Sequence, residues 1–294
     1  MSSLSISDED FLTEAIRTAC LLEATARKPG NVHAEADFDD MTFEDFVKSA
    51  NRTAPVLAKA SMMGLGLIIE AAILATQGSV GKNTNLGIIL LIAPLASVPM
   101  QHSLQEGIPA VLNDTTVEDA IRVYQAINVL HPGGMGKVSE QDLSQKPTET
   151  LLEVMQRAAD RDLIAAQYAT NFELIFNFCV PYLAERASEF AKRWEEIIQT
   201  LFLKILSQNR DSLIARKNDQ EVAEKVSLRA EEILQAGWPE TEISRELFIK
   251  FDRWLREDGH RLNPGTTADL VAAALFVALR EKIIDSPFQF RYSL

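Results

Sequence analysis

Two cysteines in 294 residues, Cys20 and Cys179, exclude a disulfide framework, and neither has the spacing of a zinc site. Both lie within apolar helical patterns, where a free cysteine behaves as a small core hydrophobe. Basic residues are also in short supply: 29 Lys and Arg stand against 42 Asp and Glu, for a formal net charge of -13. Such a surface repels nucleic-acid phosphates at long range and argues against DNA or RNA as a partner. It leaves room for one local basic pocket that takes a phosphorylated metabolite. The amino-terminal MSSLSISDEDFLTEA is acidic, with no basic stretch ahead of an apolar one, so no signal peptide is visible. The longest greasy stretches carry Glu70, Pro94 and Pro99 and fall short of the roughly 18 uninterrupted apolar residues a membrane span needs. These absences predict a soluble, cytoplasmic protein with no membrane association.

Standard phosphate and nucleophile signatures are missing too. Gly133-Gly134-Met135-Gly136-Lys137 has His131 where a P-loop needs its first glycine and Val138 where it needs Ser or Thr, and no strand precedes it. The stretch ending at Gly81-Lys82 fails the same test at Thr76. There is no nucleophile elbow, His-Glu-x-x-His or dinucleotide fingerprint.

What the chain does have is helical periodicity, with no alternating strand pattern, internal repeat or low-complexity segment. Ser7 followed by Asp8, Glu9 and Asp10 reads as a helix start, and Phe11, Leu12, Ala15, Ile16, Ala19 and Leu22 recur at helical spacing up to Lys28-Pro29-Gly30. A second helix begins near Thr42 with Asp45 in the capping-box position. SMMGLGLIIEAAILATQ is apolar all round, the mark of a helix enclosed by others, and Gly64 and Gly66 permit close contacts there. LGIILLIAPLASVP is buried as well, its tail broken by Pro94 and Pro99. Thr115-Thr116-Val117-Glu118 reads as a further capping box opening a helix to about Leu130, and a glycine loop, HPGGMGKVSEQDLSQKP, follows. Helical patterns fill about 149 to 206 with a kink expected at Pro181, then about 219 to 257 and 266 to 284. The prediction is a single compact all-α domain spanning 1–294.

Five places could carry chemistry. Gly78 to Asn85 interrupts two apolar helices and leads into the one starting near Leu86, so its N–H groups and the helix dipole can face an anion. Gly78, Gly81 and Gly87 permit close approach or left-handed turns, Asn83, Thr84 and Asn85 supply donors, and Lys82 supplies charge. A capped interhelical loop would use the same residues. Glu70 lies inside an apolar helix, where an unpaired carboxylate is costly. A metal ion or ligand would resolve that cost, as would a wet helix edge or pairing with Lys59 or Lys82. RKPGNVHAEADFDDM sets Arg27, Lys28 and His33 ahead of Asp37, Asp39 and Asp40, which suits a triphosphate with Mg²⁺ and equally suits a solvated acidic loop. RLNPGTTADL places Asn263-Pro264-Gly265 in a turn and Asp269 in the first turn of a helix, as a dipole complement or a metal ligand. Arg216 and Lys217 could bind phosphate or complement a helix C-terminus.

In order, these segments resemble the triphosphoribosyl-dephospho-CoA synthase family. The resemblance rests on Glu23 with Lys28-Pro29-Gly30, Asp40-Met41 with Ser49, Glu70, Asn83-Thr84 with Gly87, and Asn263-Pro264-Gly265 with Ala268-Asp269-Leu270. It covers roughly residues 12–100 and 208–280. The family is all-α, and the resemblance implies transfer of a triphosphoribosyl group from ATP to dephospho-CoA with release of adenine and help from Mg²⁺. It implies Asp40, Glu70 and Asp269 as the catalytic and metal-binding carboxylates. Lys28, Gly30, Ser49, Lys82, Asn83, Thr84, Asn85, Gly87 and Asn263 would bind the nucleotide. Family members usually continue Asn-Thr with His-Lys-Gly, where this chain has Asn85-Leu86-Gly87, and often have histidine where Phe38 stands. These departures suggest a divergent branch with another phosphorylated acceptor, for example in tetrahydromethanopterin-type cofactor biosynthesis, or a non-catalytic nucleotide-binding protein. The partner expected is a nucleotide or phosphorylated small molecule. A homodimer is compatible with the pattern, though no stretch marks an interface.

Overall fold

A computed structural model describes residues 7–130 and 146–287. Most of the glycine loop from His131 lies outside the described residues. Among those described there are 14 α-helices and no strand; the only β pairing is two isolated bridges, His33 with Ala36 and Phe38 with Met41. The amino-terminal half holds α1 (Asp8–Thr25), α2 (Phe43–Leu57), α3 (Leu65–Val80), α4 (Leu86–Ser97), α5 (Leu104–Asn113) and α6 (Val117–Leu130). The rest holds α7 (Leu151–Ala158), α8 (Leu163–Ala169), α9 (Val180–Ala184), α10 (Ala187–Gln208), α11 (Ser212–Lys217), α12 (Gln220–Gln235), α13 (Glu242–Arg256) and α14 (Gly265–Arg280). The all-α expectation holds, and no helix is long and apolar enough to cross a membrane.

The starts follow the sequence chemistry. Ser7 Oγ accepts from Asp10 N (3.1 Å), and Asp45 reaches back to accept from Thr42 N (3.0 Å). The capping box of α6 sits one residue later than expected: Thr116 N and Oγ1 both donate to Asp119 Oδ2. That shift frees Asp119 Oδ1 to accept from Gly66 N (2.7 Å), and a Cβ on Gly66 would lie 2.4 Å from Asp119 Cα. The glycine therefore sets how closely α3 approaches α6. One proline expectation needs correction. Pro94 lies inside α4 and does not break it. Pro181 follows directly on a π-helical turn over Ile175–Cys179, so the helical hydrogen-bond pattern changes where the kink is expected.

One hydrophobic cluster runs through the helices. Its centre is α14, which packs on α1, α4, α8, α9, α10 and α11. Every residue of α14 is buried except Gly265 and Asp269. A helix apolar on all sides must be enclosed; here the enclosure is interrupted at one carboxylate.

Candidate active site around Asp269

The surroundings of Asp269 are built from helix ends. α4 begins at Leu86, and a Cβ on Gly87 would lie 2.0 Å from Asp269 Oδ2 and 2.5 Å from Cγ. Only glycine allows this carboxylate to rest against the first turn of α4. On another side, Asp211 caps α11 through Leu213 N (2.9 Å) and Ile214 N (3.1 Å). Its second oxygen accepts from Thr267 N (2.7 Å) and Thr267 Oγ1 (2.8 Å), which ties α11 to the first turn of α14. Asp162 caps α8 and pairs with Arg216 (3.1 Å), while Leu163 N donates to Ser212 Oγ (2.7 Å). The C-terminal end of α1 contributes Cys20 and Glu23.

Burial pushes the Asp269 carboxyl well above the ordinary carboxylate range, reinforced by the nearby charges of Glu23, Asp211 and Asp162 and opposed by Arg216. Burial also raises Asp211, against its four hydrogen bonds. Cys20 is raised by burial and by Glu23 and Asp269, so it is a thiol and no nucleophile. Each neighbouring carboxylate has a partner: Glu23 has Lys28, Asp162 has Arg216, and Asp211 has four donors. Asp269 makes no hydrogen bond or ion pair to a described residue, yet it keeps partial access to solvent.

Several residues expected to bind ligand have partners within the protein. Lys28 is fully buried, and its three N–H groups are directed at the Glu23 carboxylate (2.9 Å), the Glu23 carbonyl and the Ala26 carbonyl (3.2 Å). No donor is left for phosphate. Gly30 has φ +73° and would put a Cβ 2.8 Å from that of Leu255; its N–H donates to Asp252 (2.8 Å). The Gly78–Asn85 hinge also turns inward. Thr84 Oγ1 meets Ser49 Oγ, which in turn donates to Asp45 O (2.8 Å). Asn85 accepts from Thr76 (2.9 Å) and donates to Thr53 (3.4 Å). Asn83 caps α4 through Leu86 N (3.1 Å), and Lys82 pairs with Asp45 (3.0 Å). Asn263 accepts from Asn31, which joins the two Pro-Gly turns and leaves Asn31 Oδ1 buried without a hydrogen-bond partner.

The carboxylates expected to act together are not brought together. Among the described residues, no three His, Cys, Asp or Glu side chains are placed to hold a metal ion. Glu70 faces α6 and pairs with Arg122 (2.9 Å) at a partly exposed edge, neither of the lysines considered as its partner. Asp40 stands at an exposed rim, 3.3 Å from His260 Nδ1. Of the three, only Asp269 is enclosed among helix ends, against Gly87.

The sequence profile described as CitG, ATP:dephospho-CoA triphosphoribosyl transferase, matches residues 9–288. The chain belongs to this family. It is thereby a transferase of the triphosphoribosyl-dephospho-CoA synthase kind. A solved structure from Archaeoglobus fulgidus, titled as that of a "putative triphosphoribosyl-dephospho-coA synthase", superposes with a TM-score of 0.61. It is 24% identical and covers 79% of this chain and 97% of its own, which speaks for the fold. No curated protein matches the chain.

Within the triphosphoribosyl transferase frame, Asp162 is the residue that sequence reasoning passed over. Its only local signal is that of a helix cap, in a segment that reads as continuous helix. The cations at Arg216 and Lys217 were visible as a pair. Their position beside Asp269 and Asp40 comes from the folding of α11 between α8 and the turn that precedes α14.

Proposed function

We propose that the protein transfers the triphosphoribosyl part of ATP to the ribose hydroxyl of dephospho-CoA, or of a closely related acceptor, and releases adenine. The bond that breaks joins ribose C1′ to the base nitrogen; the bond that forms joins C1′ to the acceptor oxygen. The acceptor hydroxyl loses its proton and the departing adenine gains one. In our reading Asp269 takes the acceptor's proton. The supporting observation is that it alone interrupts the buried surface of α14 beyond its first residue, with no hydrogen-bond or ion-pair partner among the described residues. A raised pKa brings a carboxylate closer to working pH, where a general base is most effective. Glu23 and Asp162 add negative charge beside it, which favours an oxocarbenium-like C1′.

Mg²⁺ binds through one or two carboxylates with substrate phosphates and water. Asp40 fits that requirement: its carboxylate is 61% exposed and within electrostatic reach of Lys217. A three-carboxylate cage with Glu70 and Asp269 does not fit. When bound, the ion would supply charge neutralisation for the polyphosphate.

The test incubates the protein with ATP, Mg²⁺ and dephospho-CoA and follows free adenine by chromatography with mass detection. Adenine formed only when both substrates are present is the expected result. Its absence, with ATP binding still measurable, would overturn the proposed acceptor; adenine formed at the same rate without acceptor would make the reaction hydrolysis.

A further inference from the structure

Lys217 occupies an anomalous position. It ends α11, is half-buried, and directs its ammonium at the carbonyl of His260 (3.2 Å). Among the described residues no carboxylate lies within 4.0 Å of it, although the chain holds 42 acidic side chains. A partly buried cation without a contact counter-ion is costly. Burial accordingly pulls the Lys217 ammonium below the ordinary lysine range, with Arg216 acting in the same direction and Asp40 opposing.

The surroundings are fixed in place. Asn218 Nδ2 donates to Ile214 O (3.1 Å) and to Arg261 O (3.1 Å), so the end of α11 is fastened to the turn that carries His260. His260 packs against Phe38 with ring centroids 5.5 Å apart, and the Arg256 guanidinium stands 5.5 Å from the centroid of the Phe38 ring. Asp40, the one acidic group held by His260, is the resident anion nearest in effect to Lys217. Arg216 links this rim to Asp269, since its charge acts on both Lys217 and Asp269. A histidine ring thus stands beside Phe38, supplied by a different segment of the chain.

We propose that Lys217, with Arg216 beside it and His260 across from it, is the anchor for the polyphosphate chain of the donor, and that Asp40 holds the place of that anion when none is bound. The inference rests on the transferase reading for its substrate. Its physical content, a polyphosphate site at the α11 rim, does not depend on turnover. Lys217 differs from Lys28, whose ammonium is buried on Glu23, and from Lys82, whose ammonium is paired with Asp45 at the surface.

The probe is inorganic tripolyphosphate in EDTA, titrated into the full chain by calorimetry, so that metal and adenine play no part. Lys217→Ala should weaken binding about tenfold or more, as expected for loss of a charge-assisted contact. Lys217→Arg keeps the charge and should stay within about threefold of wild type. Asp40→Asn removes the competing carboxylate and should tighten binding, by about threefold to tenfold. Unchanged affinity in Lys217→Ala, or weaker binding in Asp40→Asn, overturns the proposal. So does absence of wild-type binding at millimolar tripolyphosphate. Melting curves of each variant separate these outcomes from misfolding, and Lys217→Arg supplies a second reading if Lys217→Ala is unstable. Adenine release by the wild type is scored separately. Binding lost in Lys217→Ala with no adenine release keeps the anchor and removes the reaction; adenine release with unchanged binding removes only the anchor.

Discussion

Two polar regions meet the first turn of α4, and they differ in how far their groups are already satisfied. On the hinge side, Ser49, Thr53, Thr76, Thr84 and Asn85 are all buried, and each is hydrogen-bonded to another member or to a neighbouring carbonyl. On the α14 side, Asp269 and Lys217 are opposite charges with no counter-ion in contact among the described residues, Lys217 having only the carbonyl of His260, and they are flanked by groups that are fully engaged. A saturated network holds helices together, because every buried donor or acceptor left unmade costs free energy. Under-partnered charges do the reverse: they destabilise the empty protein and reward a ligand that completes them. Density of polar residues in a sequence therefore says little about binding until it is known which of them are already spent.

The largest expected effect breaks this comparison at its sharpest point. Asp269→Asn should lower adenine release by about 10²–10⁴-fold, the usual range for a lost acid–base group. The same change should stabilise the fold at neutral pH. The folded carboxyl of Asp269 titrates above its unfolded value, so between those two values the folded state holds the extra proton and stability falls as pH rises. Above that window the charged group is a net cost, which asparagine removes. A Tm gain of about 2–4 °C corresponds to about 1 kcal/mol in a larger domain. It should vanish below about pH 4, where the unfolded carboxyl is protonated too. Retained turnover, or a lower Tm at pH 7, would show that Asp269 is structural.

Asn85→Ala tests the saturated side. It strips partners from the buried hydroxyls of Thr53 and Thr76, at a cost of about 2–3 kcal/mol in denaturant unfolding. KM for ATP should be unchanged in the folded fraction. A raised KM with unaltered stability would return the hinge to the binding site.

Glycine separates the two regions more finely. Gly87→Ala drives a Cβ into the Asp269 carboxylate, so α4 and α14 must part or the carboxylate must turn away. The expected cost is about 1–3 kcal/mol, with turnover lost alongside. Gly78 lies inside α3 and its added Cβ meets nothing within 4 Å, so Gly78→Ala should gain about 0.5–1 kcal/mol. Equal effects of the two substitutions would mean that α4 does not approach α14 as described.

Much of the fold was legible because local chemistry and periodicity agree in it. The caps at Ser7 and Asp45, the buried α3 and α4, and the turn before α14 all follow from spacing and residue type. The site was legible only as a set of segments. Lys28 and Lys82 look like phosphate ligands until α1 and α2 are seen to supply Glu23 and Asp45. Glu70 looked exceptional because its partner, Arg122, comes from α6, a helix whose register against α3 no local pattern fixes. From its own segment Asp269 reads equally as a dipole complement or a metal ligand, since burial of every other side of α14 arises from helices distant in the chain. In each case the missing information was the far side of a contact.

Glu70→Gln has the smallest expected effect. Its carboxylate is 24% exposed and its partner Arg122 37% exposed, at the edge where α3 meets α6. Pairs of that kind are weak and screened by salt. A glutamine can keep one hydrogen bond to the guanidinium, and α3 retains Gly66–Asp119 as its contact to α6. Adenine release, KM and Tm should all remain within experimental error of wild type. If turnover instead collapsed while Tm held, a group satisfied in the empty protein would be doing chemistry, and the division between spent and unspent charges would no longer locate the active site.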